Sequence, residues 1–356
     1  MMRAGSSRSL RTAATLLLTG LCIAYVVWKI DFRQTLHILG NANLVYFGAA
    51  AAITLAVVPP MAWRWQRLLA ARGLAAPLGW LTRTYYVSFS VAQVLPTSLG
   101  GDAARIYSTS RRYPGSSSTA AGSVILERAL GGAATLTLAA VGFVLAIGRY
   151  DVGPYLWLEA GLTVATILGG CVIFSKRLRK PLARLVPLLR TLRLERPLRA
   201  AYEGVHAYRD HPGLLGGAFA LTLVIAAVRV AAIWLVGKAV GVDLSPRPYY
   251  VLGPLLFLVM LVPFTINGIA LREAFFVSFL GKLHVGADAA FATGFLFFLL
   301  SVVTALPGAL ILAFEAASAR ARTTPRQSEP DSEWSRTSPS LSSSLPTTKR
   351  SSSERL

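Results

Sequence analysis

Apolar residues in this chain come in long runs, not in the alternating stripes of a soluble domain. Runs reach from Thr12 to Trp28, Leu44 to Trp63, Ala120 to Ile147, Tyr155 to Phe174, Leu214 to Val236 and Ala289 to Phe314. Each is close to the roughly 20 residues that a helix needs to cross a bilayer. Two further apolar segments are interrupted. Thr84 to Leu95 is too short to cross; it meets the stretch VLPTSLGGDAARIY, Val94 to Tyr107, and returns through a polar limb ending at Arg111 and Arg112. Tyr249 to Leu283 holds LVPFTINGIALRE, Leu261 to Glu273. The pattern predicts an all-α, polytopic membrane protein of eight apolar segments: six full spans plus two inverted re-entrant helical hairpins.

The two interruptions are copies of each other. Laid over without a gap, Pro96, Gly101 and Arg105 fall on Pro263, Gly268 and Arg272, 167 residues later. Ser98 falls on Thr265, Leu99 on Ile266 and Ala103 on Ala270. Proline lacks an amide donor and glycine lacks the side chain that restricts φ, so the pair breaks an apolar helix. In a bilayer such a break survives only where protein or a wet cavity satisfies the freed backbone groups. Matched breaks in the two halves of a membrane protein point to a transport site.

Charge decides how the segments are threaded. The chain carries a net +20 at pH 7, yet only 15% of its residues are charged and 54% are hydrophobic. Its Lys and Arg lie in short runs between apolar segments, which suits loops facing anionic lipid and not nucleic acid. Eight full crossings would split these charges almost evenly between the two faces. With two hairpins, most of them gather on the cytoplasmic face, as short loops should. The first hairpin then enters from the cytoplasm and the second from the opposite side.

The remaining segments fall into place around that topology. The basic flank MMRAGSSRSLR precedes a retained first span, and Arg64, Arg67, Arg72 and Arg83 follow the second as a cytoplasmic signature. Residues 175–212 hold ten Lys and Arg interleaved with leucines, the pattern of an amphipathic cytoplasmic segment on anionic inner-leaflet lipids. Residues 319–356 are Ser, Thr, Pro and Arg with few apolar residues, and are expected to form a disordered cytoplasmic tail. The expected organisation is thus a membrane domain over 1–318 in the cell (inner) membrane, multi-pass, with both termini cytoplasmic. Cys22 and Cys171 lie in apolar runs and read as buried thiols. His37, His206, His211 and His284 show no ligand spacing, so no metal and no cofactor is expected.

Candidate chemistry sits at the breaks. A helix that starts at mid-depth, capped by Ser98 or Thr97 in one copy and Thr265 or Asn267 in the other, presents unpaired amides that suit an anion. Arg105 and Arg272 lie near those starts, and guanidinium grips phosphate bidentately. Asp102 precedes Arg105 by three residues, Glu273 follows Arg272, Glu127 and Arg128 adjoin in a span, and Arg229 is mid-span. A charge at the bilayer centre costs at least ~2.5–3.5 kcal/mol, so these groups need partners, a watery cavity or a charged ligand. Ion pairs that merely hold hairpins to spans, Asp102 with Arg105 and Glu127 with Arg128 or Arg272, are the plainer alternative. Close helix packing is the plainer role of Gly100–Gly101 and Gly131–Gly132. Trp28, Trp63, Trp65, Tyr155, Trp157, Tyr249 and Tyr250 read as interface anchors.

These stretches resemble a known family. LPTSLGGDAARIY, then SVILERALG from Ser123 to Gly131, then PFTINGIALRE resemble the transmembrane region of lysylphosphatidylglycerol synthase, over roughly residues 10 to 318. In two-domain relatives that region is regarded as a flippase for an aminoacylated phospholipid, and a separate soluble domain makes the lipid. The tail after Phe314 is too short for that domain, so the resemblance implies a transporter-like, stand-alone member without lysyl-transferase activity. It puts Gly100, Gly101, Asp102, Arg105, Glu127, Arg128, Arg272 and Glu273 in motif positions. Asn267 and Ala270 depart from the family's usual small-and-glycine form. The expectation is a phospholipid or polyprenyl-lipid translocase that binds an anionic headgroup between the hairpins. Ser98, Arg229, Asn267 and Gly268 complete the expected set of headgroup-binding residues. A membrane-embedded lipid transferase, and a non-catalytic partner subunit docking a soluble lipid-modifying enzyme, are the rival readings.

Overall fold

The computed structural model describes residues 28, 31–94, 100–146, 157, 161, 164, 208, 210–261 and 270–323. All regular structure among the described residues is helical. The helices are α1 (Phe32–Gly40), α2 (Leu44–Ala56), α3 (Val58–Ala70), α4 (Leu78–Val94), α5 (Gly100–Arg112), α6 (Ser117–Ala146), α7 (Pro212–Ala239), α8 (Tyr249–Leu261), α9 (Leu271–Gly281) and α10 (Ala287–Thr323). Among the described residues, four stretches are long and apolar enough to cross a membrane: Leu44–Ala70, Ser117–Val144, Pro212–Ala239 and Ala287–Ser318. They coincide with four of the six expected spans. The other two, Thr12 to Trp28 and Tyr155 to Phe174, lie outside the described residues, as do most of 175–212 and the tail beyond 323. Two compact units divide the chain at Ala313 and Phe314, and the contacts below belong to the first.

One order of elements occurs twice. A long apolar stretch, a short helix, a break, a second short helix and another long helix run through α2–α3, α4, α5 and α6, and again through α7, α8, α9 and α10. The breaks themselves, 95–99 and 262–269, lie outside the described residues, and with them Ser98, Asn267 and Gly268. The short helices on either side of the first break lie together. Arg112 at the end of α5 stacks over the Trp80 ring at the start of α4, 5.1 Å from its centroid. At the second break, Tyr249 begins α8, and Val285 in the turn after α9 packs against the same buried clusters as Leu244. That turn joins the cluster of Ala239, Val240 and Val242 at the end of α7.

The two ends of the bundle are fixed by hydrogen bonds. At one, the Asn43 amide donates to the Ala239 carbonyl at 2.8 Å, and the Asp31 amide donates to Asp288 Oδ1 at 2.6 Å. So the starts of α2 and α10 lie level with the end of α7. At the other, the Tyr208 hydroxyl donates to the Leu68 carbonyl at 3.0 Å within a cluster of Leu68, Leu126 and Ala218. Burial pushes the Tyr208 phenol up to about 12.

Three expectations about single elements change. The second span does not stop at Trp63 but continues to Ala70, through a turn at Val57 that precedes Pro59 and Pro60. Proline is accepted there because the first turn of α3 needs no amide donors. Trp65 and Tyr249 are not interface anchors: both are fully buried. Trp65 donates to Ser123 Oγ at 2.9 Å and crosses the Tyr85 ring edge-on, while Tyr249 packs into the α6–α9 core. α9 also begins later than expected, behind Ala270 with φ 65°. The caps foreseen at Thr265 and Asn267 are therefore not its N-cap; a non-glycine residue holds the left-handed conformation instead.

Candidate functional site

Helical spacing brings the polar side chains together. On α6, Glu127, Gly131 and Thr135 recur every fourth residue, and on α7 Thr222, Ile225, Ala226 and Arg229 form one stripe. Both stripes face a hollow of about 310 Å³, since residues three and four apart share a helix face. α3 contributes Met61 and Arg64 to the same hollow, α4 Tyr85 and Ser88, and α5 Gly101, Asp102 and Arg105. Gly101 lets α5 settle on α4: a Cβ there would lie 2.6 Å from the Ser88 carbonyl oxygen. Gly131 and Gly132 have nothing within 4 Å of that position, so the expected close packing at that pair is not found, and Gly131 opens onto the hollow.

Glu127 is the hub. It accepts from Arg64 Nη2 at 3.0 Å and Nε at 3.2 Å on Oε1, and from Arg105 Nη1 at 2.6 Å on Oε2. The Tyr85 hydroxyl lies 2.8 and 2.9 Å from the two oxygens. Arg105 Nη2 also reaches Asp102 Oδ1 at 3.0 Å, and Asp102 Oδ2 accepts from Arg128. Arg64 Nη1 donates to Thr222 Oγ1 at 2.5 Å. The Arg105 guanidinium lies 4.3 Å from the Tyr85 ring centroid and 4.9 Å from that of Trp65, a favourable setting for a desolvated cation. Arg64, Arg105 and Glu127 are all buried. Each acid thus holds two arginines, as buried charges require.

Two partners differ from the expected ion pairs. Glu127 takes neither Arg128 nor Arg272 but Arg64, a residue whose position at the end of a span reads as a loop charge. Arg272 instead pairs with its neighbour Glu273, and stacks 4.9 Å from the Phe298 centroid. Glu273 Oε2 is buried without a hydrogen bond among the described residues. Sequence reading also passes over Tyr85 and Thr222, and puts Trp65 at the membrane interface instead of beside Arg105. The nearest signal for Arg64 is the repeat: it precedes Arg229 by 165 residues, close to the 167 that separate the motif copies.

A second hollow of about 350 Å³ adjoins the first. It is lined by Arg229, Arg272, Phe298, Gln93, Ser301 and Thr304 among others. Met61, Phe89, Ala92, Phe257 and Arg229 line both. Arg105 and Arg272 therefore do not share one hollow; each faces its own, and Arg229 stands in the wall between. A third, of about 500 Å³, lies beyond Arg64 and is lined by Arg67, Gly213, Gly217 and Ala218. The first two lie at the lower edge of ligand-pocket sizes, roughly 300–1,000 Å³. From Thr54 in the second hollow to Ala71 in the third, the 17 intervening steps of helix cover about 25 Å of the ~30 Å bilayer core.

The family described as Lysylphosphatidylglycerol synthase TM region matches residues 12–308. The chain belongs to that family. The match covers all the arginines and acids just described, and with the four long apolar helices it makes this a multi-pass membrane protein with a lipid-related role. No curated protein matches the chain.

Proposed function

We propose that this family member moves a lipid with an anionic headgroup between leaflets, the headgroup travelling through the hollows while the acyl chains stay in the bilayer. The observation that carries this reading is the excess of cations. Arg64, Arg105, Arg128, Arg229 and Arg272 face the two central hollows, against Asp102, Glu127 and the Arg272 partner Glu273. Such an uncompensated field inside an apolar bundle suits a phosphate-bearing guest. Gly100, Gly101 and the break residues Ser98, Asn267 and Gly268 are proposed to bring backbone amides toward the same phosphate.

The proposed topology keeps six spans and two hairpins that enter from opposite faces. It is supported by Trp80 and Arg112 meeting at one end and by Leu244 and Val285 packing on one buried cluster at the other. Rocking of one repeat against the other would open the hollows alternately. The ends near Ala70 and Pro212 are read as cytoplasmic, because the sequence before Pro212 is strongly basic and Tyr208 within it meets the Leu68 carbonyl.

Reconstitution into liposomes with fluorescent phosphatidylglycerol tests the proposal. Wild type should expose inner-leaflet label to an external quencher, and Arg105→Ala should slow this at least about tenfold, as loss of a charge-assisted contact implies. Insertion should be spared, since Glu127 keeps Arg64 and Asp102 keeps Arg128. Equal rates in the two proteins would remove the phosphate role of Arg105, and no flipping of any phospholipid would remove the transport reading.

A further inference from the structure

The structure points to a headgroup that is net negative and carries no ammonium, and we infer that Arg229 is the residue that enforces this choice. The inference rests on the transport reading above and narrows its substrate.

Among the described residues, every carboxylate that lines the central hollows is already committed. Both oxygens of Glu127 hold an arginine and the Tyr85 hydroxyl. Both oxygens of Asp102 hold an arginine. Glu273 lines neither hollow; one of its oxygens accepts from Arg272 and the other is sealed from solvent. An ammonium group entering from the bilayer side would thus find no free acid among the described lining residues.

Arg229 is in the opposite condition. It has no hydrogen bond or ion pair among the described residues, and its one contact of note is the Phe257 ring, 4.8 Å from the guanidinium carbon. Its side chain is exposed although it projects from the middle of a span-length helix, and it lines both central hollows. Five N–H donors in a rigid fork are available there, matched to phosphate. Phe257, Met61, Phe89 and Ala92 make up the rest of the shared wall, so the surface beside the guanidinium offers a charged guest no other polar partner. A phosphate is drawn to that point and a cationic headgroup is repelled from it. An aminoacylated phosphatidylglycerol, with its added amine, fits the described lining worse than the unmodified lipid.

The test compares dioctanoyl phosphatidylglycerol, dioctanoyl phosphatidylethanolamine and dioctanoyl lysyl-phosphatidylglycerol as ligands of the purified full chain in uncharged detergent. Wild type should bind phosphatidylglycerol about tenfold or more tighter than the lysyl form, the worth of one charge-assisted hydrogen-bond pair. Arg229→Gln should erase most of that preference, and Arg229→Glu should reverse it. Because Arg229 holds no acid among the described residues, neither change deprives an existing carboxylate of its partner, and melting curves check that both variants fold. Headgroup preference is a quantity that a purely structural residue would leave unmoved. Equal or tighter binding of the lysyl lipid by wild type, or an unaltered preference in a folded Arg229→Gln variant, overturns the inference while leaving lipid transport standing. Binding of none of the three lipids overturns both. Displacement of bound phosphatidylglycerol by inorganic phosphate at equal concentration would assign the arginine to a free anion and overturn the lipid specificity.

Discussion

Glu127 is the acid on which the network depends, because among the described residues it alone compensates Arg64, and it shares Arg105 with Asp102. Replacing one partner of a buried pair costs about 3–5 kcal/mol when the other is left uncompensated. Glu127→Gln should therefore lower the melting temperature in detergent far more than Arg105→Ala; equal melting of the two would contradict the hub role. Asp102, Arg105, Glu127 and Arg128 were legible in the sequence because a charge in an apolar run demands an explanation. Arg64 was not, since an arginine near the end of a span has the same local pattern whether it reaches out to water or turns inward. Only packing tells the two apart: Glu127 comes from α6 and Thr222 from α7, 63 and 158 residues away. Trp65 and Tyr249 were misread for the same reason. Their partners lie on other helices, so nothing local distinguishes an aromatic facing lipid from one facing protein.

Among the elements, apolar runs located three of the described spans within about four residues and missed only the last seven of Leu44–Ala70, because length and hydropathy are properties of the segment itself. Ends were less legible. α4 starts at Leu78, six residues before the apolar stretch expected at Thr84, because Trp80 and Leu81 pack and the polar residues between face elsewhere. The glycine pairs look alike in sequence and differ in the fold. Gly101 sits against the α4 backbone, whereas Gly131 opens onto the hollow. Gly101→Ala should cost about 1–3 kcal/mol through overpacking, while Gly131→Ala should be neutral or gain up to about 1 kcal/mol of helix propensity. Detergent melting of the two variants checks this. A more stable Gly101→Ala would mean that α4 and α5 are not in contact there.

For the whole molecule, the recurrence of one element order follows from the motif repeat visible in the chain, Pro96 to Arg105 and Pro263 to Arg272. The hollows had no sequence signal of their own, since each is assembled from several helices and Arg229 belongs to two of them. The central claim is that these hollows receive a lipid headgroup, and Gly131, open to the hollow beside Asp102, Arg105 and Glu127, is the place to ask. The direct measurement is thiol labelling of Gly131→Cys, in a background where Cys22 and Cys171 are serine, with and without short-chain phosphatidylglycerol. The account predicts that dioctanoyl phosphatidylglycerol slows labelling severalfold and that equal dioctanoylglycerol, which lacks the phosphate, does not. Labelling at one rate in all three conditions would contradict it.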